Sequence, residues 1–353
     1  MPTPELQTFV GYSWDSNTKY VYVGAGGFED RAVRGAELLA GSAIHLAAAV
    51  ILEFRSRNIP QHQQNERKIR SILDKKFPTA ALFEMQTELV EQIPSVLGGI
   101  LPAPDLRVIV DVSAMPHSLV LRALRTVSNA GHTPLVVFTE AEDYYPRKRD
   151  AEKYLAIDDD EVAFDAAANQ ENKHIMYAGL ASVGVVKGFE GRITPTAPTS
   201  IILFPTFKRL RISSILTELE VKTRVFVLSK PEREDLRWRE RALRIINYDL
   251  VDFDTDHFLT VSTLSPKETF NELCRLFERG ILTPRGNTII CPHGSKMQTV
   301  GVWQFCDVNP EVRVILSHPT EFFPKKYSVG FRETFIYEPS FQGAEALLAE
   351  VRA

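Results

Sequence analysis

Tyr144-Tyr145-Pro146-Arg147-Lys148 and Phe322-Phe323-Pro324-Lys325-Lys326 repeat one pentad, aromatic-aromatic-proline-basic-basic, each time shortly after an apolar run. The two prolines lie 178 positions apart (324 − 146), and other anchors keep nearly that offset: Leu52 with Leu228, Leu82 with Leu259, Asp111 with Cys291, Gly99-Ile100-Leu101 with Gly280-Ile281-Leu282. A pattern recurring at one spacing along both halves marks a unit written twice.

Working outward from the pentads, each half alternates short β-branched or aromatic runs with helix-length amphipathic segments. The first half predicts strands at 20–23, 48–54, 81–85, 107–112 and 134–139, with helices at 28–40, 66–76, 87–97 and around Leu119 to Leu124. Pro116 suits the first turn of that last helix, and Asn129-Ala130-Gly131 ends it. The second half predicts strands at 200–204, 224–228, 258–261, 287–291 and 312–316, with helices at 210–219, 232–246, 266–279 and from Ser295. Strands alternating with helices fold as parallel sheets with right-handed crossovers. The fold class expected is therefore α/β: two tandem Rossmann-like parallel-sheet units related by internal duplication, with pseudo-twofold symmetry. The expected boundaries are a first domain over 1–149, a partly structured linker over 150–199 and a second domain over 200–353. The linker holds Asp158-Asp159-Asp160-Glu161 and the run Gly184 to Gly191, which reads as a hairpin.

With 353 residues, 44% hydrophobic and 24% charged, the chain can bury two domain-sized cores, and its composition is that of a soluble protein. The N-terminus lacks the basic start and apolar core of a signal peptide, and a cytoplasmic location is expected. Cys274, Cys291 and Cys306 are odd in number and have no CxxC spacing, so neither a disulfide framework nor a structural zinc is implied. The net charge of −4 excludes coating of nucleic acid by bulk electrostatics. Its distribution is uneven. Residues 1–176 carry −6 (18 basic, 24 acidic) and the remainder +2 (23 basic, 21 acidic), which places an anionic ligand on the second half.

Open parallel sheets bind ligands beyond the carboxyl ends of their strands, where strand order reverses, so the loops after strands one and four matter most. In the first half, Gly24-Ala25-Gly26-Gly27 opens a helix and lets a phosphate approach backbone N–H groups, with Arg31 as a cation nearby. The dinucleotide fingerprint is not met, although Glu53 stands where a ribose-binding acid belongs. Glu29 replaces the third glycine and, with Asp30, opposes a pyrophosphate. Ser113 follows the fourth strand. Asp111, Glu140 and Glu142 give an alternative reading, a magnesium-dependent phosphodiesterase or hydrolase using acidic strand ends; His117 reads as a capping residue. In the second half, Lys208 and Arg209 follow the first strand, and Cys291-Pro292-His293-Gly294-Ser295-Lys296 follows the fourth. Gly294 permits close approach, Ser295 can donate, and Lys296 adds charge, although the spacing is not that of a Walker loop. Cys291 and His293, two apart on a strand end, point to different faces and do not make a nucleophile and base. The pentad aromatics either cover the end of a core or stack on a base beside Arg147, Lys148, Lys325 and Lys326.

In layout the chain resembles duplicated Rossmann-type sensors of cyclic oligonucleotides such as the CARF and SAVED families; the resemblance is one of topology and brings no motif. It implies a nucleotide-like or oligonucleotide-like ligand. The expected ligand-binding residues are Gly26, Gly27, Arg31, Ser113, Lys208, Arg209, His293, Gly294, Ser295 and Lys296. A regulatory or sensor role without catalytic residues, metal or cofactor is the primary expectation, and magnesium enters only with the hydrolase alternative. A third alternative is a non-catalytic subunit that binds a protein partner.

Overall fold

The computed structural model describes residues 6–54, 59–100, 105–155, 177–178, 182–283, 285–318, 321–322 and 324–341. The acidic run 158–161 and Phe323 of the second pentad lie outside the described residues. Elements of the first half are β1 (Leu6–Thr8), β2 (Lys19–Ala25), α1 (Arg34–Gly41), β3 (His45–Glu53), α2 (Pro60–Lys76), β4 (Ala81–Gln86), α3 (Ile93–Val96), β5 (Leu106–Asp111), α4 (His117–Asn129), β6 (Leu135–Thr139) and β7 (Asp143–Tyr144). Then follow α5 (Lys148–Leu155), β8 (Tyr177–Ala178), β9 (Ser182–Val185), β10 (Thr199–Leu203), α6 (Leu210–Glu218), β11 (Thr223–Lys230), α7 (Trp238–Ile246), β12 (His257–Ser262), α8 (Pro266–Glu278), β13 (Asn287–Cys291), α9 (Lys296–Val308), β14 (Arg313–His318), β15 (Glu321–Phe322), β16 (Ser328–Val329) and β17 (Thr334–Tyr337).

The chain divides into two compact units. One runs to Tyr144 and includes Ser328–Ser340; the other comprises Tyr145–Tyr327 and Phe341. In the first unit the sheet order is β1-β17-β6-β5-β2-β3-β4, and the strands from β6 to β4 are parallel. In the second unit the order is β12-β11-β10-β13-β14-β9, parallel from β12 to β14. Numbered within its own half, each parallel set runs third, second, first, fourth, fifth. Both units are thus Rossmann-like, and the duplication read from the pentads reappears as one strand order used twice.

Central strands are buried on both faces, which explains their uninterrupted apolar runs. Tyr20, Val21, Tyr22 and Val23 of β2 and Ile201, Ile202 and Leu203 of β10 are all buried. The first core gathers Tyr20, Tyr22, Leu39, Ile51, Ile69, Leu73 and Ile109. The second gathers Ile201, Leu203, Ile212, Ile215, Phe226 and Ile289. Each such side chain contributes on the order of 1.5–3 kcal/mol by leaving water. Local signals set the helix ends: Ser265 caps α8 by accepting from the Glu268 amide at 3.1 Å, and Pro266 takes the first helical position.

Three expectations change. The segment 328–340, assigned from sequence to the second domain, pairs in the first sheet, where β17 lies antiparallel between β6 and β1. Alternating Thr334, Phe335, Ile336 and Tyr337 read as a strand, but nothing local names its partner. The run around Gly184 is not a hairpin: β9 pairs antiparallel with β14, from Val185 opposite Ile315 to Ser182 opposite His318. The helix expected over 87–97 is a 3₁₀ turn, Thr87–Gln92, followed by the short α3, since Pro94 cannot continue a hydrogen-bonded helix from the preceding turn.

Candidate functional site

The order third-second-first-fourth-fifth puts the reversal of strand order between strands one and four, so each unit has one switch-point crevice. In the first unit the flanking loops follow β2 and β5. They meet directly: a Cβ on Gly27 would stand 2.5 Å from the Ala114 Cβ and 2.8 Å from the Ala114 carbonyl oxygen. Gly26 packs as closely on the Glu66 side chain. Asn65 Nδ2 donates to the Gly27 and Glu29 carbonyls at 2.7 and 3.2 Å. The glycines therefore let protein pack on protein at this turn.

Arg31 is buried. It donates to Glu29 Oε2 from Nη2 (2.7 Å) and Nε (3.1 Å) and to the Thr139 carbonyl from Nη1 (3.1 Å). Its guanidinium also lies 5.5 and 5.6 Å from the ring centroids of Phe138 and Tyr144. Ser328 Oγ donates to the same Glu29 oxygen, and the Gly330 amide donates to Asp30 Oδ2 at 2.9 Å. Ser113 accepts the Thr139 amide at 2.8 Å and donates its hydroxyl to Asp111 Oδ1. Asp111 also accepts from the Ser113 amide (3.0 Å) and the Tyr22 hydroxyl (3.1 Å). Burial pushes its carboxyl above the usual range against the lowering effect of those donors and of Arg31. In this unit Arg31 and Ser113 belong to a closed internal network that holds the strand ends and the returning segment together.

This geometry does not fit the magnesium alternative. Asp111 Oδ2 fills the space where a Cβ on Gly35 would lie, under α1, whereas Glu142 is exposed. Among the described residues no group of three His, Cys, Asp or Glu side chains could hold a metal ion.

The second unit is different at the equivalent place. Its loops, 204–209 after β10 and 292–295 after β13, carry basic side chains. His293 is 5% exposed and bridges three elements: Nδ1 lies 3.3 Å from Arg211 Nη1, and Nε2 lies 3.3 Å from the Ser317 amide and 3.1 Å from its hydroxyl. The Ser317 amide and the Arg211 guanidinium can both only donate, and a neutral ring has one accepting nitrogen to offer them. Lys208, 8% exposed, is held below the ordinary lysine pKa, first by burial and then by the positive charge of Arg211. The Thr206 hydroxyl accepts the Lys208 amide at 3.0 Å, and Asn247 Nδ2 holds the Thr206 carbonyl at 3.0 Å.

Other expected residues are placed differently. Arg209 is ion-paired with Asp249. Ser295 forms a capping box for α9 with Gln298: the Ser295 hydroxyl accepts the Gln298 amide (3.0 Å) and the Gln298 side chain accepts the Ser295 amide (2.8 Å). Its hydroxyl also donates to the Thr263 carbonyl at 2.6 Å. Gly294 packs on Gln298 and Phe204, and Lys296, half-buried, begins α9. The Cys291 thiol is wholly buried and raised by that burial, which closes it as a nucleophile. Arg211 and Ser317 are the members that sequence reasoning missed. Arg211 stands two residues beyond Arg209 in the basic segment after β10, whereas no local signal marks Ser317.

The fold and this edge define an α/β protein of two tandem Rossmann-like units with a basic crevice in the second. No protein-family model matches the sequence, and no curated protein matches it. Among solved structures the chain is similar to a type III CRISPR defence DNA nuclease activated by cyclic oligoadenylate, with 10% identity, a TM-score of 0.45, and coverage of 81% of this chain and 63% of that chain. It is also similar to the cytoplasmic domain of a prokaryotic cation chloride cotransporter, with 9% identity, a TM-score of 0.22, and coverage of 87% and 96%. The chain therefore spans less than two thirds of the nuclease. Neither likeness is strong enough to transfer an activity. Among the described residues no helix is long and apolar enough to cross a membrane.

Proposed function

We propose that the protein is a ligand-sensing regulatory protein whose second unit binds a phosphate-bearing, nucleotide-like anion at its switch-point crevice. The observation that carries this reading is the meeting of Arg211 with His293 Nδ1 at 3.3 Å, beside buried Lys208. An anionic oxygen accepts from the Arg211 guanidinium and the Lys208 ammonium and offsets the repulsion between the two cations. Lys296 lies at the start of α9, where a helix N-terminus favours negative charge.

Thermal unfolding against mono-, di- and cyclic oligonucleotides, unphosphorylated nucleosides and inorganic pyrophosphate tests the reading. A ligand at about a hundred times its dissociation constant adds roughly 2.7 kcal/mol. Phosphorylated ligands should raise the melting temperature of the wild type, and Arg211→Ala or Lys208→Ala should abolish the shift. No shift with any phosphorylated ligand overturns the proposal.

A protein-interaction role is favoured by one further observation. Tyr248, Phe253 and Phe258 are 46, 59 and 38% exposed, with centroids 5.1 and 5.6 Å apart, beside the sheet-edge strand β12. Exposed aromatics grouped this way mark contact surfaces. Concentration-dependent sedimentation that Phe253→Ser eliminates would support self-association through this patch; unchanged sedimentation would count against it.

A further inference from the structure

The second sheet ends at β12, so one side of that strand faces no neighbouring strand. The Thr263 amide donates to the Lys230 carbonyl of β11, and backbone groups two residues apart point the same way. Those of His257, Leu259 and Val261 therefore turn in to β11, and those of Phe258, Thr260 and Ser262 turn out. The protein itself closes the outward run at each end: the Asp256 amide donates to the Asp252 carbonyl at 2.8 Å, and the Ser262 amide to Glu268 Oε2 at 3.0 Å. Between these ends, among the described residues, no hydrogen bond reaches the outward amide or carbonyl of Phe258 or Thr260. Their side chains are exposed on one face, whereas Leu259 and Val261 are buried on the other. Phe258 stacks on Phe226 (6.0 Å, 21°) and on Phe253 (5.6 Å, 16°), and Tyr248 extends the shelf 5.1 Å beyond Phe253.

The strand also differs in charge from end to end. Asp252 and Asp254 are exposed at its start, beyond the Asp256–Arg224 ion pair. At its end stand exposed Lys230, in register with Ser262, and the N-terminus of α8 with Lys267, where the helix dipole is positive. The acid of that first turn, Glu268, is engaged by the Ser262 amide.

We propose that β12 pairs antiparallel with β12 of a second copy of this chain about a twofold axis at Leu259, forming one continuous sheet. The inference rests on the self-association reading of the aromatic patch and names its geometry. In this register Phe258 exchanges both outward backbone hydrogen bonds with Thr260 of the partner subunit, and the reverse, so every open group between the closed ends is satisfied. With the axis normal to the sheet, like faces stay together and the two aromatic shelves meet, the Phe258 positions being diagonal neighbours about 7–8 Å apart. Antiparallel pairing also lays the acidic start of each strand against the basic end of the other. A longer extended peptide would find its ladder cut off at Asp256 and Ser262, so the edge suits a short symmetric exchange.

Thr260→Pro tests the pairing, because the Thr260 amide points away from β11 and proline there removes a donor from the dimer and none from the sheet. Sedimentation velocity over a concentration series compares wild type, Thr260→Pro, Thr260→Val and Phe253→Ser, each checked by its melting curve. Wild type and Thr260→Val should dimerise alike. Thr260→Pro should raise the dimer dissociation constant at least about tenfold, since each copy loses a donated hydrogen bond and meets a proline ring. Register is read by cysteines, independently of how proline is tolerated; the native cysteines are buried. Under mild oxidation a mixture of Phe258→Cys and Thr260→Cys should form a disulfide-linked dimer, because paired Cα atoms lie about 5.5 Å apart. Neither variant alone should, because like positions are more than about 7 Å apart, beyond disulfide reach. A dimer that persists in folded Thr260→Pro, or a mixture that links no better than its parts, overturns the pairing; loss of that dimer in Phe253→Ser would leave the patch reading standing. A wild type that stays monomeric at every concentration overturns both.

Discussion

Replacing Arg31 by methionine separates a structural from a ligand-binding role for this cation at the first unit's crevice. Arg31 and Glu29 are 4 and 5% exposed, joined at 2.7 Å, so methionine fills the arginine's space but leaves a buried carboxylate without its counter-charge. Breaking one side of a buried ion pair costs about 3–5 kcal/mol, and the lost donation to the Thr139 carbonyl adds to that. At about 1.36 kcal/mol per decade, the slowest amides of β2 and β5 should exchange two to three and a half orders of magnitude faster. Hydrogen–deuterium exchange followed by mass spectrometry reads this strand by strand. The double variant Glu29→Gln/Arg31→Met removes both charges and should recover most of the loss. Pyrophosphate binding should be unchanged in both. Exchange within threefold of wild type for Arg31→Met would refute the reasoning and return Arg31 to the list of ligand contacts.

Asp111→Asn should fold and should change the pH dependence of stability. Because burial raises the Asp111 pKa above its ordinary 3.8, its contribution is fully present below that pH and is lost as pH rises through the raised value. The wild-type melting temperature should therefore fall relative to Asp111→Asn as pH is raised above 3.8, and parallel curves would contradict the assignment. Gly27→Ala should cost about 1–3 kcal/mol by overpacking against the Ala114 backbone, a drop of roughly 2–4 °C in melting temperature for each kcal/mol; an unchanged melting curve would mean that the crevice is open. Ser295→Ala removes the α9 cap and should cost about 0.5–2 kcal/mol in urea unfolding, with Ser295→Asp restoring most of it; no loss would deny the capping box a structural role. Lys208 has a depressed pKa, so pyrophosphate binding should weaken as pH rises through it and the ammonium discharges. Lys208→Arg should hold its affinity to higher pH in calorimetry, and identical pH profiles would remove Lys208 from the site.

The two halves share a strand order and differ in how they use the same crevice. In the first, a glycine turn, Asn65 and the Glu29–Arg31 pair close the switch point with protein. In the second, the equivalent loops bring Lys208 and His293 to it, and the first turn of α6 brings Arg211. One strand order thus carries a switch point closed by protein in the first unit and a basic one in the second.

The alternation of buried runs with amphipathic segments made ten parallel strands legible from sequence, because a strand covered on both faces must be apolar throughout and a helix on a sheet must be apolar on one stripe. The repeated pentads made the duplication legible, since near-identical local sequence at one offset needs no contact information. Charge by half marked the second unit as the more basic one, since charge is counted along the chain. Which partners β17 and β9 would choose was not written locally: edge pairing is decided by long-range register, and a four-residue strand fits any open edge of suitable pattern. Nor was the fate of single polar residues. Arg31, Ser113 and Arg209 have the composition of a phosphate site, but only tertiary structure brought Thr139 and Asp249 within hydrogen-bond reach of them, whereas the Ser295–Gln298 capping box is a local pairing three residues apart. Ser317 turned His293 toward Arg211 from a strand remote in sequence. Composition and period reside in the chain itself, whereas the pairing of a buried donor with its acceptor exists only once distant segments have been packed together.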